Sequence, residues 1–202
     1  SPTQDMVLGS YYLTKILPGE FTKAFASTED AMHAYEAGTI KLHTPVKIRL
    51  NGQLLDTTYG RVLFNQIVPS ELGYVNQTMT NGALEKILAV SFDRLGSEIT
   101  AHFADAIKNI GYKYATLSGL TISKDDMIVP EKKDQFIKDG EDKIKEIQKH
   151  FWMGYMTEQD RYLQSVKVWP VVKAAIEKDM KPYFLPENPV FNMIDSKARG
   201  NW

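Results

Sequence analysis

Hydrophobic and polar positions recur with helical spacing in the first fifteen residues of the chain. The apolar positions are Met6, Val7, Leu8, Tyr11 and Tyr12. Thr3 precedes them as a candidate N-cap, and this pattern predicts a short, largely buried helix that ends near Lys15.

The next segments predict a helix and then a β-hairpin. Ser27 precedes an acidic first turn and Gly38 follows the last helical position, which is typical of a short amphipathic helix. Residues 46–50 then alternate apolar and basic side chains, and residues 53–58 return after Asn51-Gly52. Because Asn-Gly is the preferred pair in a two-residue type I′ turn, we predict an antiparallel hairpin here.

The middle of the chain predicts two packed helices. Residues 83–95 carry an apolar stripe that stops at Gly96, and residues 99–110 carry a second stripe that stops before Gly111. A segment rich in Gly, Ser and Thr follows at residues 112–123.

Residues 125–180 predict a long antiparallel helical hairpin. Its first helix has a heptad-like stripe made of Ile137, Gly140, Ile144, Ile147 and Phe151. The chain should turn near residues 153–155, and Thr157 with Asp160 resembles a capping box. The expected apolar face of the return helix is Tyr162, Val166, Trp169, Val172, Ile176 and Met180. Gly140 is the weak point of the stripe, and Pro170 should bend the return helix.

Together these elements predict an α+β fold that is mostly helical. A small antiparallel β-hairpin region with packed helices comes first, and the long helical hairpin, a coiled coil, follows it.

Composition narrows the possible functions. The chain has 202 residues, with 24 Lys plus Arg against 25 Asp plus Glu, so a charge-driven nucleic-acid binder is disfavoured. Cysteine is absent, which excludes disulfides and Cys-ligated zinc and favours the cytoplasm. No stretch is long and apolar enough for a membrane helix, and residues 1–20 do not resemble a secretion signal.

Common catalytic motifs are absent, and two features leave alternatives open. The sequence has no Gly-rich phosphate loop, dinucleotide fingerprint or nucleophile elbow, and its four histidines lack metal-ligand spacing. Asp125-Asp126 either holds Mg²⁺ in an independent hydrolase or forms a capping turn, and the capping turn is favoured. Arg199 either contacts phosphate or forms a surface salt bridge.

Large apolar residues cluster where the helical hairpin turns. They are Phe151, Trp152, Met153, Tyr155 and Met156. At the end of a projecting hairpin they either form a docking surface or cap the hairpin's own end. The first alternative also allows a free-standing adaptor that binds partners through this tip.

Six ordered segments resemble the β′ subunit of bacterial RNA polymerase, in the stretch that follows its catalytic metal loop. The matching segments are Pro2–Gly9, 57–64, 107–108, 111–119, Asp125–Lys133 and Asp195–Gly200. The resemblance implies a pore region at about 1–120, like domain 3 of the largest subunit. It also implies a funnel region at 121–202, like domain 4, whose hairpin at about 125–180 forms the rim of the secondary channel.

The resemblance implies a noncatalytic part of a nucleotidyltransferase. The family's aspartate-rich metal loop is not in these residues, so the fragment is expected to bind no metal or cofactor, while Mg²⁺ is implied for the whole polymerase. Ser1 and Trp202 are then expected to be the ends of a piece of a larger subunit. Expected partners are the β, α and ω subunits, Gre-type cleavage factors, NTPs and the RNA 3′ end, with DNA contacted only through the whole enzyme and no membrane contact.

By the same resemblance, Gln4 and Arg199 lie on the path by which NTPs reach the active site. Trp152, Met153, Tyr155 and Met156 form the tip at which factors dock. Lys197 departs from the family pattern, because a glycine is usual at that position.

Overall fold

Helices dominate the structure. A computed structural model describes residues 2–21, 23–50 and 52–200. The elements in chain order are α1 (Asp5–Thr14), β1 (Lys23–Phe25), α2 (Thr28–Glu36), β2 (Pro45–Leu50), β3 (Gln53–Thr58), α3 (Tyr59–Asn65), α4 (Asn81–Ser118), α5 (Lys133–Trp152), α6 (Glu158–Met180) and α7 (Pro189–Asp195). The predicted α+β, mostly helical class is confirmed. None of the helices in the described ranges has the length and apolar composition needed to cross a membrane.

Two units make up the described chain. The first contains residues 2–122 together with 189–200, and the second contains residues 123–188. The first unit therefore includes α7, although this helix follows the hairpin in sequence.

The predicted β-hairpin is present in the first unit. Strands β2 and β3 pair antiparallel, with Leu50 opposite Gln53. Gly52 has a φ of 83°, which suits the tight turn, whereas Asn51 lies outside the described residues. The sequence did not predict β1, which adds a parallel third strand beside β2. Three residues are too few to carry a recognisable strand pattern.

Helix α1 is buried on nearly every side, as predicted. Its buried residues are Val7, Leu8, Gly9, Ser10, Tyr11, Leu13 and Thr14. The predicted Thr3 cap is wrong, because Gln4 occupies the N-cap position and its side chain makes no capping hydrogen bond. Since α1 has no solvent-facing stripe, its polar groups need partners inside the protein.

Helix α4 consists of two arms that fold back on each other at Gly96, whose φ is 82°. The Ser91 and Thr100 hydroxyl oxygens lie 3.0 Å apart, whereas a straight helix would separate these residues by about 13 Å. Leu84 on the first arm and Ile107 on the second belong to one buried cluster. The prediction of two packed helices is confirmed, but the second arm does not end before Gly111 and continues to Ser118.

Glycines permit the close contact between α1 and the second arm of α4. A Cβ atom on Gly9 would overlap the carbonyl oxygen of Gly111. A Cβ atom on Gly111 would lie 2.5 Å from the Met6 carbonyl oxygen. Helix α3 also approaches α1 closely, because a Cβ atom on Gly60 would overlap the Leu13 carbonyl oxygen. Gly111 is therefore a packing position inside a helix, which explains why it does not terminate one.

A buried arginine connects α1, α3 and the loop that precedes α4. The guanidinium of Arg61 donates to the Thr14 carbonyl oxygen at 2.9 Å, to Asn76 Oδ1 at 3.1 Å and to Thr78 Oγ1 at 3.3 Å. Thr14 Oγ1 accepts a further bond from the Met79 backbone N–H at 2.8 Å. Burial lowers the pKa of Arg61 from its ordinary value. Its donors are used by neutral acceptors, so this residue has a structural role.

The second unit is the predicted antiparallel hairpin of α5 and α6, which begins at Lys133 rather than at residue 125. The α5 stripe is confirmed, because Ile137, Ile144, Ile147 and Phe151 are half-buried and Gly140 is buried. Gly140 is not a weak point. A Cβ atom there would lie 2.7 Å from Val172 Cγ2, so the glycine allows α6 to pack closely. Helix α6 continues across Pro170.

The predicted apolar face of α6 is only half correct. Val172, Ile176 and Met180 are partly buried, but Tyr162, Val166 and Trp169 are exposed by 62%, 49% and 46%. Near the tip, α6 instead turns Arg161, Ser165 and Val168 toward partial burial. The apolar spacing alone could not identify this rotation, because an arginine occupies one of the inward positions.

Replacing Gly9 with alanine should destabilise the chain by about 1–3 kcal/mol, because the added methyl group forces α1 away from the second arm of α4. Denaturant unfolding of the 202-residue chain measures this change. The matched control is Gly82→Ala, since Gly82 is in the exposed first turn of α4 and has no atom within 4 Å of an added Cβ. The control should be neutral or slightly stabilising. Equal unfolding midpoints for the two variants would contradict the close-contact interpretation.

Candidate functional site

The structure brings together Gln4 and Arg199, which are 195 positions apart in sequence. Arg199 Nη2 donates to Gln4 Oε1 at 3.4 Å, and both side chains belong to exposed residues of the first unit. Their proximity depends on how the segment 189–200 packs against α1.

Hydrogen bonds hold that segment in place. The Tyr11 hydroxyl donates to Asp195 Oδ2 at 2.7 Å, and Lys15 Nζ donates to Asn192 Oδ1 at 3.3 Å. The backbone N–H of Asn81 donates to the Ser196 carbonyl oxygen at 3.0 Å. Burial raises the pKa of Tyr11 well above its ordinary value, and the Asp195 carboxylate raises it further. Tyr11 therefore remains protonated and keeps its donor.

The backbone next to this pair adopts left-handed torsions. Gln4 has a φ of 49° and Lys197 a φ of 58°, and they are the non-glycine residues with positive φ in the described ranges. The Lys197 torsion explains why glycine suits this position, since a Cβ atom disfavours the left-handed region. The exposed Arg199 guanidinium has the geometry to bind a phosphate through two parallel hydrogen bonds.

The second candidate site is the tip of the α5–α6 hairpin. Trp152 and Tyr155 are 77% and 75% exposed, Met153 is 51% exposed and Met156 is half-buried. Gly154 has a φ of 77° and makes the turn between the helices. The structure therefore places the four predicted tip residues together, with the two large aromatic side chains facing solvent.

Phe151 has a different environment from its neighbours at the tip. The guanidinium of Arg161 lies 5.6 Å from the centre of the Phe151 ring, and Arg161 also donates to Glu158 Oε2 at 2.9 Å. Phe151 and Arg161 thus pack together at the end of the hairpin, where the Trp152 ring also lies 5.7 Å from the Phe151 ring and the Tyr155 ring lies 6.1 Å from that of His150. Sequence reasoning missed Arg161, although its position three residues after Glu158 at the start of α6 indicated an ion pair.

A lysine-rimmed groove continues from the tip along α5. It has a volume of about 500 Å³ and is lined by Ile144, Lys145, Gln148, Lys149, Trp152 and Met153. Lys145 forms an ion pair with Asp142 at 2.9 Å, so the positive charge beside the exposed aromatic surface comes from Lys149.

Asp125 and Asp126 form the capping turn. Asp126 Oδ2 accepts a bond from the Ser123 backbone N–H at 2.7 Å, and Ser123 Oγ accepts one from the Asp125 N–H at 3.1 Å. Within the described ranges, no group of three His, Asp or Glu side chains could hold a metal ion. The hydrolase alternative therefore has no metal centre among these residues.

The comparisons with known proteins all point to subunits of RNA polymerase. The family model described as RNA polymerase Rpb1, domain 3, matches residues 1–127. The chain is similar to the β′ subunit of DNA-directed RNA polymerase from Desulforamulus reducens, with 39% identity over 204 residues that cover 100% of this chain and 17% of that subunit. The β′ subunit of Moorella thermoacetica is 40% identical over 206 residues, covering 100% of this chain and 18% of its own length. That of Thermotoga petrophila is 38% identical over 213 residues, covering 99% and 13%.

The chain thus spans less than a fifth of the length of these relatives. The matched part includes both units, so Gln4, Arg199 and the hairpin tip all lie within it.

Replacing Lys197 with glycine should stabilise the chain by about 0.5–1 kcal/mol, because glycine adopts positive φ without the Cβ penalty. Denaturant unfolding measures the gain. The control variant is Lys197→Ala, which removes the same charge and keeps a Cβ atom, and it should show no gain. A stabilisation of the same size in both variants would assign the effect to charge rather than to backbone strain.

Proposed function

The chain belongs to the RNA polymerase Rpb1 domain 3 family, and we propose that it is a noncatalytic pore and rim portion of the β′ subunit of a bacterial DNA-directed RNA polymerase. The observation that carries this proposal is the similarity to β′ subunits over the full length of the chain. The first unit corresponds in this proposal to the pore region and the hairpin unit to the rim of the secondary channel. A cytoplasmic location follows from the same proposal.

The Gln4–Arg199 pair is proposed to lie on the path of incoming NTPs. Its support is the exposed guanidinium, which Gln4 positions on one side while the α1 contacts anchor the preceding segment. An exposed cation raises the local concentration of an anionic substrate without taking part in the chemistry. The proposed role is therefore guidance of the triphosphate.

Replacing Arg199 with alanine should raise the KM for NTPs about threefold or more, with a smaller change in kcat, because guidance affects substrate capture. The assay uses a polymerase in which this chain replaces the matched segment of the Moorella thermoacetica β′ subunit, so it also tests whether the segment supports RNA synthesis. Arg199→Lys should raise the KM less than Arg199→Ala does, since lysine retains the positive charge.

The matched control for this assay is Arg49→Ala, which removes an exposed arginine from β2 in the same unit. It should leave KM unchanged. A chimeric polymerase that assembles but makes no RNA would contradict the proposed function. Equal KM values for Arg199→Ala and Arg49→Ala would contradict the proposed role of Arg199 alone.

The hairpin tip is proposed to dock Gre-type cleavage factors. Exposed Trp and Tyr side chains are the residue types that most often carry interface binding energy, and Trp152 and Tyr155 stay 77% and 75% exposed although each ring contacts one neighbouring ring. Lys149 beside the tip favours a partner whose facing surface is acidic, whereas Lys145 is paired with Asp142.

The double variant Trp152→Ala with Tyr155→Ala should weaken binding of a Gre-type factor by about 30-fold or more, since aromatic anchors typically contribute 2 kcal/mol or more. Titration of the factor into the 202-residue chain at two salt concentrations measures this loss. The control is Val129→Ala, which removes an exposed apolar residue outside the tip of the same unit. Retained affinity in the double variant would remove the tip from the proposed function and leave the pore assignment in place.

Two other functions have weaker support. A free-standing adaptor would use the same exposed tip, but the similarity to β′ subunits extends over both units. A Mg²⁺-dependent hydrolase would need further carboxylates near Asp125 and Asp126, and the described residues supply no such cluster.

A further inference from the structure

A pocket in the first unit lies between the C-terminal half of α1 and the end of α2. Its volume is about 560 Å³, within the range of roughly 300–1,000 Å³ that is usual for small-ligand sites. Aromatic and polar side chains line it, chiefly Tyr12, Tyr35, Glu36, Lys41 and His43. The proposed polymerase function uses none of these side chains.

His43 lines this pocket, and only one of its ring nitrogens is used in the hydrogen bond to α1. The residue is 8% exposed, and its Nε2 is hydrogen-bonded to the Tyr12 carbonyl oxygen. Because that oxygen only accepts, Nε2 carries the proton and the neutral ring keeps a lone pair on Nδ1. Burial, together with the nearby charge of Lys15, lowers the pKa of His43 to about 4, so the ring is neutral at pH 7.

Two tyrosines provide aromatic surface at the pocket. The Tyr12 ring is held edge-on to His43 with a centroid distance of 4.6 Å, and the Tyr35 ring packs on Tyr59 at 4.8 Å. Burial raises the pKa of Tyr12, and the proximity of Tyr35 raises it further, so the Tyr12 hydroxyl remains a donor at neutral pH. Each tyrosine ring therefore packs against a different neighbouring ring, Tyr12 against His43 and Tyr35 against Tyr59.

The charges at the pocket disfavour a cationic ligand. Lys15 Nζ already lies 6.0 Å from the centre of the Tyr12 ring, and Lys41 lines the pocket beside Glu36. The remaining polar groups combine donors, on the tyrosine hydroxyls and Lys41, with acceptors, on His43 Nδ1 and Glu36. A flat, uncharged molecule with both donor and acceptor edges matches this set.

We propose that the pocket binds a planar nitrogen heterocycle of the purine class, stacked against tyrosine, with an N–H group directed at His43 Nδ1. The preorganised rings supply contact area at little entropic cost, and the single imidazole acceptor sets the orientation of the base.

Titration of the 202-residue chain with adenosine, followed by ¹⁵N NMR of the histidine ring nitrogens, tests this proposal. The expected result is a saturable shift of the His43 Nδ1 resonance with a Kd of about 0.1–1 mM. His102, an exposed residue of α4 that does not line the pocket, should not respond and serves as the internal control. Absence of a saturable His43 shift up to about 10 mM adenosine would overturn the proposal.

Variants identify the groups involved. Tyr35→Ala and His43→Gln should each weaken adenosine binding about tenfold or more, as expected for the loss of a stacking or hydrogen-bonding group. Tyr35 is 38% exposed, so its variant tests the pocket even if His43→Gln does not fold. His102→Gln should bind adenosine as the unaltered chain does. Unchanged binding in Tyr35→Ala, or tighter binding of arginine amide than of adenosine, would contradict the proposed ligand class.

Discussion

The burial of α1 on nearly every side is the constraint on which the first unit depends. A helix with so little surface toward solvent must be approached closely by its neighbours, and at Gly9, Gly60 and Gly111 the contacting atoms are backbone atoms. The close contacts leave no room for side chains between the helices. Helix α1 consequently acts as the common wall against which α3, the second arm of α4 and α7 pack.

Burial of α1 also determines where its polar groups find partners. The Thr14 carbonyl and hydroxyl oxygens accept bonds from Arg61 and Met79, the Tyr12 carbonyl accepts one from His43, and Tyr11 and Lys15 bond to the segment of α7. The same bonds that satisfy buried groups therefore anchor three separate loops. The Gln4–Arg199 pair and the pocket around His43 both depend on this anchoring. The pair includes Gln4, the N-cap of α1, and the pocket includes Tyr12 of α1.

The hairpin unit follows a different rule. Its helices share one narrow seam, and the close approach at Gly140 fixes how α6 rotates against α5. That rotation places Arg161 over Phe151 and leaves Tyr162 and Val166 exposed. The hairpin unit therefore exposes several large apolar side chains, as expected under the proposal that other subunits or factors contact it.

Local pattern determined much of this protein. The helical period of α1, the capping signals of α2 and α6, the turn pair between β2 and β3 and the α5 stripe all depend on near neighbours in sequence, so they could be predicted from it. The ordered β′-like segments likewise identified the family without structural information. The residues of the hairpin tip were predictable for the same reason, because they are consecutive.

Only the tertiary structure decided the features that depend on distant segments. From the sequence, Gly111 was predicted to end a helix and Gly140 to weaken the α5 stripe, yet both glycines lie at close contacts between helices. The role of a glycine depends on which atoms of other elements lie against it. Three other features link residues that are far apart in sequence: the pairing of Arg199 with Gln4, the rotation of α6 and the pocket around His43. The spacing of residues within one element therefore cannot predict them. Sequence spacing defines the face of one element, whereas the partner of that face is set by packing among all of them.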